Sequence, residues 1–276
     1  PFEVIQCGLN ELPEAKECSN SVGRHLNGCR IGFDAGGSDR KVSASIDGEV
    51  VYSEEVVWFP KINEDPDYHY QGILDSMMRA AEKMPTVDAI GVSSAGIYVN
   101  NRIMVASLFL KVPNELFDSK VKNMYLDCAR ALSEKYGKQI PIEVANDGDV
   151  TALAGAMSLQ DGCVMGLAMG TSEAAGYIDR SGDLLGWFNE LAFAPVDLSE
   201  TAAVDEWSGD RGVGCKYFSQ DAVIKLAPRA GIELNENDAP AQKLKAVQAL
   251  MEAGDGRAEA VYRSIGVYLG HTLAFY

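Results

Sequence analysis

Asp34-Ala35-Gly36-Gly37-Ser38-Asp39-Arg40-Lys41 brings an acid, two adjacent glycines, a hydroxyl and a cation into one short run. Glycines let backbone N–H groups come close to phosphate oxygens. Ser38 can donate a hydrogen bond, Lys41 supplies positive charge, and Asp34 can hold Mg²⁺ through water. The run is neither GxxxxGK[ST] nor GxGxxG. A hairpin corner that needs glycine for positive φ explains it equally well. Gly170-Thr171-Ser172 is a second run of this kind, followed by Glu173, which is expected to point away from any phosphate. Asn146-Asp147 lies between an apolar strand and a helix of small residues. A carboxylate at a strand end is a good general base for a hydroxyl. Asp149 is the better placed helix cap, which leaves Asp147 without a structural duty. Glu190 could accept hydrogen bonds from the paired hydroxyls of a polyol, although alone it reads as a solvated loop acid.

These residues need elements to position them. The pattern predicts strands over Cys29–Asp34, near Val42–Ile46 and over Val50–Val57, with Asp47-Gly48 as a tight hairpin turn. A loop follows over 60–68. A helix near Tyr70–Lys83 presents Ile73, Leu74, Met77, Met78 and Ala81 on one face, and another spans 119–136. "VDAIGVSSAG" and "IPIEVAN" read as strands. "CVMGLAMGTSEAAGYIDRSGDLLGWF" repeats the order strand, glycine turn, strand, corner, strand seen at 29–57. An internal repeat implies two similar α/β halves whose hydroxyl-bearing turns face a cleft. We divide the chain into an ill-defined extension at 1–28, an N-terminal lobe at 29–145 and a C-terminal lobe at 146–276. In the last, Val261, Ile265, Leu269 and Leu273 form a stripe expected to bury on the second half.

The 276 residues carry 40 acidic and 24 basic side chains, for a net charge of -16. Such a chain is a poor non-specific binder of nucleic acid or anionic membrane, yet local backbone dipoles can still hold a small phosphorylated ligand. Residues 1–28 are too short and too acidic for a DNA-binding helix-turn-helix. Six cysteines without a CxxC pair fit free thiols in a reducing cytoplasm. Three scattered histidines offer little to a metal site or a triad. The chain opens on Pro1 and closes on "LGHTLAFY" without a helix stop, so both ends read as cut.

Five segments in order resemble the ROK family of sugar kinases (hexokinase- and glucokinase-like) of the actin-like ATPase superfamily. "DAGGSDRK" is similar to its DxGGTxxK, "VSSAG" to VSxPG, "ANDGDVTALAGA" to NDAxAAAxGE, "GTSEAAG" to GTGxGxG and "NELAFAPVD" to GEIGHxxVD. The resemblance implies a two-lobed α/β actin-like ATPase (ribonuclease H-like) fold, C-terminally truncated here, with ATP and a hexose in the interlobe cleft. It implies Asp147 as base toward a sugar hydroxyl, with Asn146, Glu190, Gly96 and Ser107 on the sugar. Asp34, Gly36, Gly37, Ser38, Lys41, Gly170, Thr171 and Ser172 would bind ATP and Mg²⁺. Dimers are common in that family, and no stretch of this chain specifies one. Phe193 stands where the family has histidine, only Cys215 remains of its zinc cysteines, and Ser172 and Ala174 replace glycines. No structural zinc is expected. A non-catalytic sugar sensor on the same fold is the alternative.

Overall fold

The computed structural model describes residues 5–12, 19–185 and 190–276. Its strands are β1 (Ser19–Asn20), β2 (Cys29–Ala35), β3 (Asp39–Ile46), β4 (Glu49–Val57), β5 (Ala89–Ser94), β6 (Ile97–Val99), β7 (Arg102–Val105), β8 (Ile142–Asn146), β9 (Val164–Met169), β10 (Glu173–Ile178) and β11 (Leu184–Leu185). The helices are α1 (Pro66–Ala81), α2 (Asn114–Leu116), α3 (Met124–Tyr136), α4 (Asp147–Leu159), α5 (Gln220–Arg229), α6 (Pro240–Glu252) and α7 (Gly256–Thr272).

Five strands form the first sheet, in the order β4-β3-β2-β5-β8. The β2–β4 meander is antiparallel, whereas β2, β5 and β8 run parallel. Asp47 and Gly48 turn the meander at φ 50° and 87°, the paired left-handed residues of a tight hairpin. Alternation sends Cys29, Ile31, Phe33 and Ala35 of β2 to one face, where α1 and α3 cover them. Helix α1 begins at Pro66, earlier than the periodicity predicted, because Asp65 caps it by accepting from the Asp67 amide. Helix α3 likewise starts later than 119, after a single π turn over Phe117–Val121.

The second sheet has the order β1-β11-β10-β9 and is antiparallel, so both sheets contain a three-stranded meander. Its edge strand β1 comes from the segment read as an ill-defined extension. That pairing is made across a long stretch of chain, which local pattern does not reveal. Helix α4 lies on β9 and β10 at close range. A Cβ on Gly166 would be 2.3 Å from the Ala152 nitrogen, and one on Gly176 would be 2.4 Å from the Asp149 Cα. Only glycine admits a helix this near a sheet.

Helices α5, α6 and α7 bury their own cluster of Phe218, Val223, Ala227, Val247, Val261 and Ile265. The α7 stripe therefore packs against α5 and α6 rather than the sheet, and it ends early, with Leu273 exposed. Among the described residues no helix is long and apolar enough to cross a membrane.

Candidate active site

The parallel strands bring the chemistry together. Ala35 of β2 is level with Ser94 of β5, and Ser94 with Asn146 of β8. The three segments that follow, Gly36–Ser38, Ala95-Gly96 and the start of α4, therefore leave the sheet side by side. Ligands of open α/β sheets gather beyond such carboxyl ends.

Asn146, rather than Asp149, caps α4: its Oδ1 accepts from the Gly148 amide at 2.8 Å. Its Nδ2 donates to the Gly96 carbonyl and to Glu190 Oε1, each at 2.9 Å. One side chain thus ties together three segments distant in sequence. Cap geometry explains the swap, since the capping side chain must belong to the last non-helical residue and Asp149 is already inside the first turn. Asp147 follows at the first helical position, and its Oδ1 is 3.1 Å from the Gly148 amide. Burial raises the Asp147 pKa, and the nearby Asp34 charge raises it further, while Lys61 opposes the shift. Burial also lifts Glu190 to about 7, helped by the charges of Asp147 and Asp149.

The first glycine loop is not a corner needing positive φ. Neither Gly36 nor Gly37 is left-handed. A Cβ on Gly36 would sit 2.6 Å from the Asp39 carbonyl oxygen, and one on Gly37 would sit 2.8 Å from Lys61 Cε. Trp58 stitches this loop to the Lys61 segment. Its indole donates to the Gly36 carbonyl at 2.8 Å and its amide to the Ser38 carbonyl at 3.1 Å. Ser38 Oγ donates to Asp39 at 3.1 Å. Lys41 is directly across from Asp34 in the β2–β3 register and is paired to Asp39 at 2.5 Å and to Asp34 at 3.8 Å. Lys61 was not singled out from sequence, because its loop carries no motif.

The second loop, Gly170-Thr171-Ser172, is exposed and tight, with the Gly170 amide donating to the Ser172 carbonyl at 2.9 Å. The amide of Gln220, at the start of α5, donates to the Gly170 carbonyl at 2.8 Å. Glu173 is buried on Tyr276, whose hydroxyl donates to it at 2.9 Å.

Gly96 has φ 134°, and a Cβ there would meet the Val105 carbonyl at 2.3 Å. The β6–β7 hairpin thus crosses directly over the turn. Both Tyr98 and Tyr125 donate to Ser94 Oγ, at 2.6 and 3.0 Å, and Tyr98 also reaches the Ala95 carbonyl at 3.0 Å. This network holds the turn whose Gly96 carbonyl orients Asn146. Tyr98→Phe is expected to cost about 1 kcal/mol, the usual net worth of a buried hydrogen bond. Urea unfolding measures it; an unchanged midpoint would show that the turn holds without the Tyr98 hydroxyl.

Ser107 opens a 3₁₀ turn after β7 and makes no hydrogen bond to Asn146, Asp147 or Glu190. Phe193 packs edge-on to Trp207, ring centroids 5.3 Å apart. The 203–212 loop is closed by backbone bonds from Asp205 to Asp210 at 2.8 Å and from Gly212 to Ala203 at 2.7 Å. Asn189, from the fifth segment, lies outside the described residues. A cavity of about 660 Å³ lies on the other face of the first sheet, between α4 and residues 21–26. Asp34 and Lys41 line it, whereas Asn146, Asp147 and Glu190 do not, so its size does not make it the reactive site.

No family model matches the sequence, and no curated protein matches it. Solved structures do. A ROK family glucokinase from Streptomyces griseus, in complex with glucose and AMPPNP, superposes with TM-score 0.62 at 18% identity over 90% of this chain and 78% of that one. The ROK hexokinase from Thermus thermophilus gives TM-score 0.58 at 18% identity, covering 89% and 76%. A ROK family transcriptional regulator, a homolog of the E. coli MLC protein, gives 0.65 at 19% identity, covering 91% and 62%. The chain has the α/β fold of these ROK-family structures, sugar kinases and a transcriptional regulator among them.

Proposed function

We propose that this protein is an ATP-dependent sugar kinase that transfers the γ-phosphoryl group to a hexose hydroxyl, with Asp147 as general base. The observation that carries this is the Asn146 side chain bonded to both Gly96 and Glu190, next to a buried carboxyl with a raised pKa. A raised pKa brings a carboxylate closer to working pH, where proton abstraction is most effective. In this reading Glu190 and Asn146 hold sugar hydroxyls, and Gly36, Gly37, Ser38, Gly170 and Thr171 cradle phosphates. Phosphoryl transfer asks mainly for positioning and charge stabilisation. Asp34 fits a role toward Mg²⁺: a half-exposed carboxylate beside the loop suits an ion that takes one or two carboxylates and completes its shell with phosphates and water. Bound there, Mg²⁺ would neutralise phosphate charge.

Sugar-dependent ADP release across a panel of hexoses tests the proposal. At subsaturating sugar the rate is expected to climb as pH rises through about 7, as Glu190 ionises. Stability should run the other way. A carboxyl whose folded pKa exceeds its unfolded value holds its proton more tightly when folded, so stability falls from the ordinary carboxylate range, about 4, up to the raised value. A rate flat from about pH 6 to 8 would take Glu190 out of sugar binding.

The second reading, a sugar sensor without turnover, is favoured by Phe193, whose ring packs on Trp207 and offers no hydrogen bond to a ligand. Calorimetry separates the two: sugar binding with no ADP release supports the sensor.

A further inference from the structure

Lys61 is set apart from the other lysines by its place beside the first glycine loop. Lys41, Lys120, Lys122, Lys135, Lys138 and Lys216 are all engaged in ion pairs. Lys61 enters none among the described residues, and neither do Lys83, Lys111, Lys225, Lys243 and Lys245, but Lys61 is the one beside the loop. It sits against the backbone of the first glycine loop: the Cβ position of Gly37 is 3.0 Å from its Nζ. Its charge also reaches Asp147. The ammonium therefore lies against the phosphate loop, within electrostatic reach of the carboxyl read as the base.

The segment carrying it is held firmly. Pro60 is buried, and its carbonyl is 3.0 Å from His69 Nε2, which is also 3.1 Å from the Leu108 carbonyl. His69 Nδ1 lies 3.0 Å from the Asp65 carbonyl. His69 is fully buried and packs on Phe109, centroids 5.0 Å apart. With the Trp58 bonds to Gly36 and Ser38, the turn is pinned on both sides, to the phosphate loop and to α1. The exposed ammonium is thereby carried beside the loop, open to an incoming anion.

We propose that Lys61 is a catalytic residue that binds the non-bridging oxygens of the transferring phosphoryl group. The inference rests on the kinase reading. In the step, the sugar oxygen forms a bond to the γ-phosphorus as the bond from that phosphorus to the β–γ bridging oxygen breaks. The hydroxyl proton passes to Asp147, and the electron pair leaves with ADP. Negative charge spreads over the γ oxygens during transfer, and an ammonium carried there by a pinned turn stabilises it more than it stabilises bound substrate. Lys41, by contrast, is paired with Asp39 and Asp34.

Lys61→Met keeps the length of the side chain and removes the charge. It is expected to lower kcat roughly 100-fold, the usual scale for losing one such contact, with sugar KM changed less than about threefold. Lys61→Arg should recover a large part of the loss. Because the residue is exposed, the melting temperature should hold. Calorimetry with magnesium tripolyphosphate, which needs no adenine pocket, should show weaker binding by Lys61→Met. Parental kcat together with parental tripolyphosphate affinity in Lys61→Met would overturn the role of Lys61 and leave the kinase reading intact. A parent that releases no ADP with any sugar and binds no tripolyphosphate would overturn both.

Discussion

Asp147→Asn is expected to lower sugar-dependent ADP release by about 10²- to 10⁴-fold, the range spanned by a general base. Asparagine keeps the shape and the acceptor oxygen that faces the Gly148 amide, so the start of α4 is preserved. It cannot take a proton. The loss should fall on kcat, with sugar KM little changed, because Asn146 and Glu190 hold the sugar in this reading. Stability gives the control. Since burial raises the Asp147 pKa, ionising it is disfavoured in the folded state. The asparagine variant is spared that penalty, so above the raised pKa it should be as stable as the parent or more so. A catalytic defect without a stability defect is the signature of a residue kept for chemistry. Steady-state kinetics and a melting curve at pH 8 read both. If the variant turns over at the parental rate, Asp147 is not the base.

The largest expected effect on folding is at Gly176. A Cβ there would lie 2.4 Å from the Asp149 Cα and nitrogen, both backbone atoms of α4. Backbone cannot step aside as a side-chain tip can, so the whole helix must lift from β10. Gly176→Ala should cost about 3 kcal/mol, the upper end of overpacking, and lower the melting temperature by about 6–12 °C. It should also reduce activity in the folded fraction, because α4 carries Asn146 and Asp147 at its start. Gly266→Ala is the matched control. That glycine is exposed in α7 with nothing within 4 Å of a Cβ. Alanine should stabilise the helix there by about 0.5–1 kcal/mol. Differential scanning calorimetry on the two variants decides: equal shifts would mean that close α4 packing is not what Gly176 provides.

The elements were largely legible from local pattern, and the reason is physical. Alternation, helical periodicity and turn chemistry act over a few residues. Asp47-Gly48 turns where its residue types demand left-handed φ, and β2, β5 and β8 carry the apolar alternation that buries them. The misses share a cause. Strand β1 pairs with β11 across most of the chain, and the β6–β7 hairpin is short, with Asn100 and Asn101 supplying its left-handed turn at φ 52° and 63°. Helix α5 was missed as well, and it contains Pro228, which breaks a helical reading.

At the site, the chain alone identified the residue types: glycine loops, Asn146-Asp147 and Glu190. Residue type and order are properties of the sequence, and ordered motifs carry them. What each residue touches was decided by the fold. Asn146 took the cap because the last extended residue of β8 is the one facing the helix amides. Gly36 proved to be a glycine for lack of space against the Asp39 carbonyl rather than for positive φ. Lys61 became a candidate only when the Trp58 and His69 bonds brought its turn onto the first loop. These contacts depend on strand ends lying in register and on backbone atoms closing within 3 Å. Such distances arise between segments far apart in the chain, and no local pattern encodes them.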